Sequence, residues 1–230
     1  RRRDSLPYPR AMMSNQDLDS LKKAAALTAV EFVRDGMVVG LGTGSTAKHM
    51  VIALGEKVRA GMTLRGVPTS KETATLARQQ GIILIDADNA WVIDVAIDGA
   101  DQVDPGFNLI KGGGGALLKE KIVAASAKQF IVLVDYTKRV PVLGGSFPLP
   151  IEVIPFGWGS TAREIEALTQ SRVVLRERNG SPFKTEAGHL ILDVHLSRID
   201  NPRELEIALH LIPGVVETGL FVGRTDLLIV

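Results

Sequence analysis

With 230 residues, 45% of them hydrophobic, the chain carries enough apolar material for one domain or two modest ones, and for a sizeable buried core. Its 27 basic and 26 acidic residues leave a net charge of +1, which provides no overall field for nucleic acid or an anionic membrane; the partner expected is a small molecule. Having no cysteine, it can form neither disulfides nor a thiolate metal site, and thiol catalysis is excluded.

Residues 1–13 show no helical or strand period and read as a leader, either an extension or an Arg-rich transit-peptide remnant, with a natural start at Met12 or Met13. Ser14 and Asp17 are spaced like a capping pair before a helix with apolar Leu18, Leu21, Ala25, Phe32 and Val33, ended by Gly36. Residues 37–41 form an apolar run bounded by glycine, as in a strand buried on both faces of a parallel sheet. A helix over 45–60, a strand over 63–67, a helix over 69–80 and a strand over 82–85 follow, the last closed by Asp86, Ala87, Asp88 and Asn89. Strands over 92–97 and 131–134 flank a helix over 116–128. This alternation predicts an α/β fold with an open, mostly parallel, Rossmann-like sheet covered by helices.

Beyond Pro141 the pattern changes, with Gly144, Gly145, Pro148, Pro150 and Pro155 crowding a segment that cannot be helical. The order after it is strand 151–154, helix 160–169, strands 172–176 and 190–194, helix 202–210 and strand 215–217, a ferredoxin-like βαββαβ run. The division expected is a catalytic α/β domain of residues 14–147 plus 219–230 and a small α+β domain of 148–218. The apolar end, 226–230, is expected to return to the first sheet. No apolar run approaches the roughly 20 residues that cross a bilayer.

Between the first strand and its helix lies Gly40-Leu41-Gly42-Thr43-Gly44-Ser45-Thr46, where backbone N–H groups and the helix dipole favour a phosphate. The acid that a dinucleotide fold needs about 20 residues later is missing, which favours phosphate over NAD. A tight turn that binds nothing would explain the glycines but not the hydroxyls of Thr43, Ser45 and Thr46. Asp98 ends a strand on the side where ligands collect in open α/β sheets, and Asp101 follows it. Two close carboxylates can hold unequal pKa values and divide acid and base roles, or they can simply make and cap a turn. Lys111 precedes Gly112-Gly113-Gly114-Gly115, backbone suited to an anion. Glu120 shares a helix face with Ala116, Val123, Ala124 and Ala127, so it is either a buried carboxylate with a task or a solvated first-turn acid between Lys119 and Lys121. The four histidines show no metal-ligand spacing and read as structural. Lys138, by default an exposed turn lysine, is placed to reach the same pocket rim.

Taken in order, Gly-Leu-Gly-Thr-Gly-Ser-Thr, Asp98-Gly99-Ala100-Asp101, Lys111-Gly-Gly-Gly-Gly-Ala-Leu and Lys119-Glu120-Lys121 resemble the type A family of ribose-5-phosphate isomerases. The resemblance runs from Asp17 to the end and takes in residues 148–153 and 212–217. Gln102 departs from the family's frequent Glu, and Val230 falls short of its usual tail. The resemblance implies interconversion of ribose 5-phosphate and ribulose 5-phosphate through an enediolate, in the pentose phosphate pathway or a phototroph's Calvin cycle, with no metal or organic cofactor. Glu120 takes the role of base, with Asp98, Asp101 and Lys111 opening the ring, moving hydroxyl protons and stabilising the oxyanion. Thr43, Gly44, Ser45 and Thr46, with Gly99, Ala100, main chain of Gly112, Gly113 and Gly114, and Lys138, are implied to bind the sugar phosphate. A homodimer or homotetramer is also implied, in the cytoplasm, or in a plastid if the leader is a transit remnant. Two other classes compete: a sugar-phosphate sensor, which would not need Glu120, and a nucleotide-dependent dehydrogenase, which the missing acid disfavours.

Overall fold

The computed structural model describes residues 15–86 and 90–230. The leader, Ser14 of the capping pair and residues 87–89 of the Asp86–Asn89 turn lie outside the described residues. Helix α1 (Asn15–Val30) precedes strand β1 (Val38–Leu41), helix α2 (Ser45–Arg59), β2 (Arg65–Pro68), α3 (Lys71–Gln79) and β3 (Ile83–Leu84). Then come β4 (Val95–Gly99), β5 (Gln102–Val103), β6 (Leu109–Ile110), α4 (Leu117–Ala125) and β7 (Phe130–Leu133).

The strands β1 and β7, and β4 up to Asp98, are apolar because both faces of their sheet are covered. Val39 and Leu41 point into a core shared with Ala26, Met50 and Ala77 of the first three helices. Val38 and Ala96 point the other way, toward Val123 and Ala124 of α4. A Cβ on Gly40 would come within 2.5 Å of Val123, so the missing side chain lets α4 lie close against β1. That approach carries Glu120, one turn earlier on α4, to the carboxyl end of the sheet.

The rest of the chain is β8 (Leu149–Val153), α5 (Trp158–Thr169), β9 (Val173–Leu175), β10 (Glu177–Arg178), β11 (Ser181–Pro182) and β12 (Leu190–Val194). It ends with α6 (Pro202–His210), β13 (Val215–Thr218), β14 (Leu220–Phe221) and β15 (Leu227–Ile229). The main sheet has the order β15-β7-β4-β1-β2-β3 and is parallel throughout, with the final strand returning to β7 as the sequence predicts. The second sheet, β13-β8-β12-β9, is antiparallel and sets the fourth, first, third and second strands of the βαββαβ run side by side. It has its own core, including Ile151, Ile165, Leu192 and Leu209.

A third sheet, β14-β6-β5, joins the two; Lys111 N–H donates to Gly219 O at 2.8 Å and Gly219 N–H to Pro150 O at 2.7 Å. These two-residue strands have no period to read, which is why the sequence shows none of them. The expected strand at 92–97 instead starts at Val95 and runs through Gly99, and the expected strand at 172–176 stops at Leu175 before the β10-β11 hairpin. Helix α4 is shorter than expected, ending at Ala125 with Ser126 as its cap.

Candidate active site

From β1 the chain builds outward to β2 and β3, then returns to build β4, β7 and β15 on the other side. The order reverses between β1 and β4, and the crevice at their carboxyl ends is where a ligand fits in such a sheet. Gly42 and Asp98 meet there. A Cβ on Gly42 would lie 2.2 Å from Asp98 Oδ1, so only glycine leaves room for that carboxylate under the loop. Asp98 Oδ1 accepts the N–H of Thr43 at 3.1 Å and of Gly99 at 2.7 Å. Asp98 is therefore a strand residue bonded across the crevice, rather than part of a local turn. The hydroxyl of Thr43 is tied to Thr69 Oγ1 at 2.7 Å, and Thr73 Oγ1 donates to Gly42 O at 2.9 Å, fixing the loop from below.

Asp98, Lys111 and Glu120 form a buried charged row, with relative exposures of 3%, 3% and 6%. Lys111 Nζ lies 3.0 Å from Asp98 Oδ2 and 3.3 Å from Glu120 Oε2, and it donates to Gly99 O. Burial opposes the charge on Lys111, but Asp98 and Glu120 outweigh it and hold the ammonium above the usual lysine range. Burial pushes Glu120 up to about 8 against the pull of Lys111, with Asp98 adding repulsion. Burial raises Asp98 as well, opposed by Lys111 and by the two N–H groups. One cation cannot neutralise two buried carboxylates, so the row favours retaining a proton. Although Glu120 Oε2 lies within ion-pair range of Lys111, it accepts no well-directed hydrogen bond.

Lys111 and Glu120 form part of the lining of a cavity of about 160 Å³. On one side Thr43, Gly44, Ser45 and Thr46 present the start of α2, whose Gly44 cap supplies no side-chain bond to the first N–H groups. Gly99, Ala100 and Asp101 form a second side, and Gly112, Gly113 and Gly114 a third, closed by a bond from Gly113 N–H to Asp101 Oδ2 at 2.8 Å. Lys138 reaches this cavity too. Asp98 does not line it, and meets it through Lys111. The structure thus gathers thirteen of the fourteen sequence-derived candidates, named above, around one space, with Asp98 directly behind.

Sequence reasoning missed Lys22, a cavity residue supplied by α1. As one of two adjacent lysines on a helix, it carries no signal of its own. Lys121, which the sequence offers only as a charged neighbour of Glu120, is the second residue that sequence reasoning misses. It is 4% exposed, bonds Glu206 at 2.9 Å and Glu217 at 2.7 Å, and lies 5.0 Å from the Phe221 ring centre, tying α4 to α6 and β13. Gln102, the departure from the expected Glu, donates to Gly144 O at 2.9 Å and accepts Gly144 N–H at 2.8 Å, a two-way bond that an ionised carboxylate could not make. His49, His189 and His210 pair with Asp19, Glu152 and Glu217, away from the cavity. Among the described residues, no group of three or more His, Asp or Glu is placed to hold a metal ion.

The profile of the ribose 5-phosphate isomerase A (phosphoriboisomerase A) family matches residues 65–230. Ribose-5-phosphate isomerase A of Gloeobacter violaceus is 54% identical over 215 residues, covering 93% of each chain. That of Bradyrhizobium diazoefficiens is 52% identical over 217 residues, covering 90% of each. Among solved structures, a D-ribose-5-phosphate isomerase in complex with phospho-erythronic acid superposes with a TM-score of 0.88 at 43% identity, over 92% of this chain and 93% of that one. The enzyme of Methanocaldococcus jannaschii gives 0.87 at 43% identity over 94% of both. With matches along nearly its whole length, in sequence and in fold, the chain belongs to the ribose-5-phosphate isomerase A family.

Proposed function

We propose that the protein interconverts ribose 5-phosphate and ribulose 5-phosphate through an enediolate, with Glu120 as the base. The observation that carries this reading is the Glu120 carboxylate itself, which is buried, lines the cavity and has one oxygen free of hydrogen bonds beside an ammonium. A phosphate fits at the start of α2, held by main-chain N–H groups and the hydroxyls of Ser45 and Thr46, with Lys22 and Lys138 as cations. The sugar then extends toward Lys111 and Glu120.

Glu120 takes the proton from C2 of the open-chain aldose, and Lys111, charged throughout, stabilises the oxygen on which negative charge develops. Asp101, oriented by Gly113 N–H, moves the hydroxyl proton between O2 and O1. Glu120 then returns its proton to C1, giving the ketose. Asp98 keeps Lys111 charged and in place. No redox equivalent is consumed, since oxidation at one carbon balances reduction at its neighbour. Purified protein should convert ribose 5-phosphate to ribulose 5-phosphate and exchange the C2 proton with solvent deuterium; neither occurring would overturn the reading.

The reading extends to a small domain of residues 148–218 and to a homodimer or homotetramer. The separate apolar core of the second sheet supports the first, and the exposed Phe156, Ile207 and Leu211 support the second. A monomer by sedimentation across a wide concentration range would contradict the association.

A further inference from the structure

The glycine loop after Lys111 is gripped from outside the cavity by a residue that none of the sequence motifs contains. Arg176 lies between β9 and β10, and Asp193 of β12 braces it: Nε donates to Asp193 Oδ2 at 2.8 Å and Nη2 to Asp193 Oδ1. This two-point pairing fixes the plane of the guanidinium. Nη1 is left to donate to two main-chain carbonyls, Gly112 O at 2.8 Å and Gly113 O at 3.2 Å. Both side chains are largely buried, at 14% and 16% exposure, while the Gly113 carbonyl that Arg176 reaches lies on the exposed part of the loop.

In a trans peptide the carbonyl and the following N–H point in opposite directions. Fastening the carbonyls of Gly112 and Gly113 on the Arg176 side therefore turns the N–H groups of Gly113 and Gly114 the other way. The first donates to Asp101 Oδ2 at 2.8 Å. The second belongs to a cavity residue and has no protein acceptor among the described residues. A cation at the oxygen end of a peptide also strengthens its N–H as a donor, because hydrogen bonds in a chain polarise one another.

We infer that Arg176, braced by Asp193, is a positioning residue for the isomerisation: it orients and polarises two peptide units so that one holds Asp101 and the other offers its N–H to substrate oxygen as negative charge develops. Arg176 does not line the cavity, so its effect passes through the backbone. Lysine could not replace it, since one ammonium cannot hold both carboxylate oxygens and both carbonyls in a single plane. The inference rests on reading this cavity as the isomerase site.

The test combines steady-state kinetics on Arg176→Ala, Arg176→Lys and Asp193→Asn with thermal melts and rescue by millimolar methylguanidinium. Arg176→Ala should lose about 10²-fold in kcat, the scale of a lost oxyanion donor, with KM changed by less than about threefold. Added methylguanidinium should restore part of that kcat while leaving the parent unaffected, and Arg176→Lys should stay impaired. A folded Arg176→Ala with the parent kcat would overturn the inference, as would a loss that methylguanidinium does not relieve. If Arg176→Ala does not fold, Asp193→Asn decides: lowered kcat at parent-like KM supports the role, and unchanged kcat removes it. Glu120→Gln keeps the two readings apart, because parent-level activity there would remove the site itself, whereas an inactive Glu120→Gln beside a fully active Arg176→Ala removes only the positioning role.

Discussion

Lys111 Nζ lies 3.3 Å from Glu120 Oε2, an oxygen that is buried yet accepts no hydrogen bond. An unpaired buried polar atom costs free energy, so its retention points to a partner supplied from outside the chain. A proton removed from substrate carbon fits that place, with the ammonium alongside to receive the developing negative charge.

Glu120→Gln keeps the shape of the side chain and removes its basicity. The expected loss in kcat is at least about 10²-fold, within the range of general-base contributions. Affinity for the sugar phosphate should change little, and exchange of the C2 proton with solvent deuterium should slow in parallel. Isomerisation and exchange at the parent rate would remove Glu120 as the base and this cavity as the site of reaction.

The raised pKa of Glu120 sets the direction of a pH effect. Its folded value of about 8 exceeds its ordinary 4.5, so the folded protein binds this proton more tightly than the unfolded chain. Its contribution to stability is fully present below about 4.5 and is lost as pH rises toward about 8. Denaturant unfolding of parent and Glu120→Gln across this window should show the parent's relative stability falling as pH rises. A rising difference would contradict the assignment. Because the base must be ionised, kcat/KM should climb over the same upper range and not near pH 4.5.

Lys111→Met removes the cation from between Asp98 and Glu120 and leaves both carboxyls buried. Breaking a buried pair in this way costs roughly 3–5 kcal/mol, and activity should be lost with it. Part of the stability should return in acid, where protonation relieves the repulsion. Urea titrations in acid and at neutral pH test this; the same loss at both would show that the charges are not the cause.

Ser45 and Thr46 hydroxyls have no protein partner among the described residues, whereas Thr43 is committed to Thr69. Replacing Ser45 and Thr46 together by Ala should therefore raise KM by about tenfold or more while leaving the melting temperature close to the parent's, since each lost bond to a charged group is worth about 1.5–3 kcal/mol. Thr43→Ala should disturb the melt as well. A double variant with unchanged KM would place the phosphate elsewhere.

The sequence by itself determined the parallel α/β sheet, the ferredoxin-like run after it and the motifs at the carboxyl ends of the strands. These are properties of local spacing: two-sided apolar strands, helical periods, and glycines at strand-to-helix turns. It also brought forward Glu120, but left two readings open, because a helix face shows which residues could be buried without showing what packs on them. Tertiary structure decided that point: α4 lies against Gly40, and Glu120 is buried beside Lys111. It likewise decided the pairing of β14 with β6, Lys22 in the cavity, Lys121 between Glu206 and Glu217, and Arg176 on the glycine carbonyls. Each depends on residues distant in the chain, as with Arg176 and Gly112, 64 positions apart, whose contact is fixed by sheet register and leaves no local pattern to read.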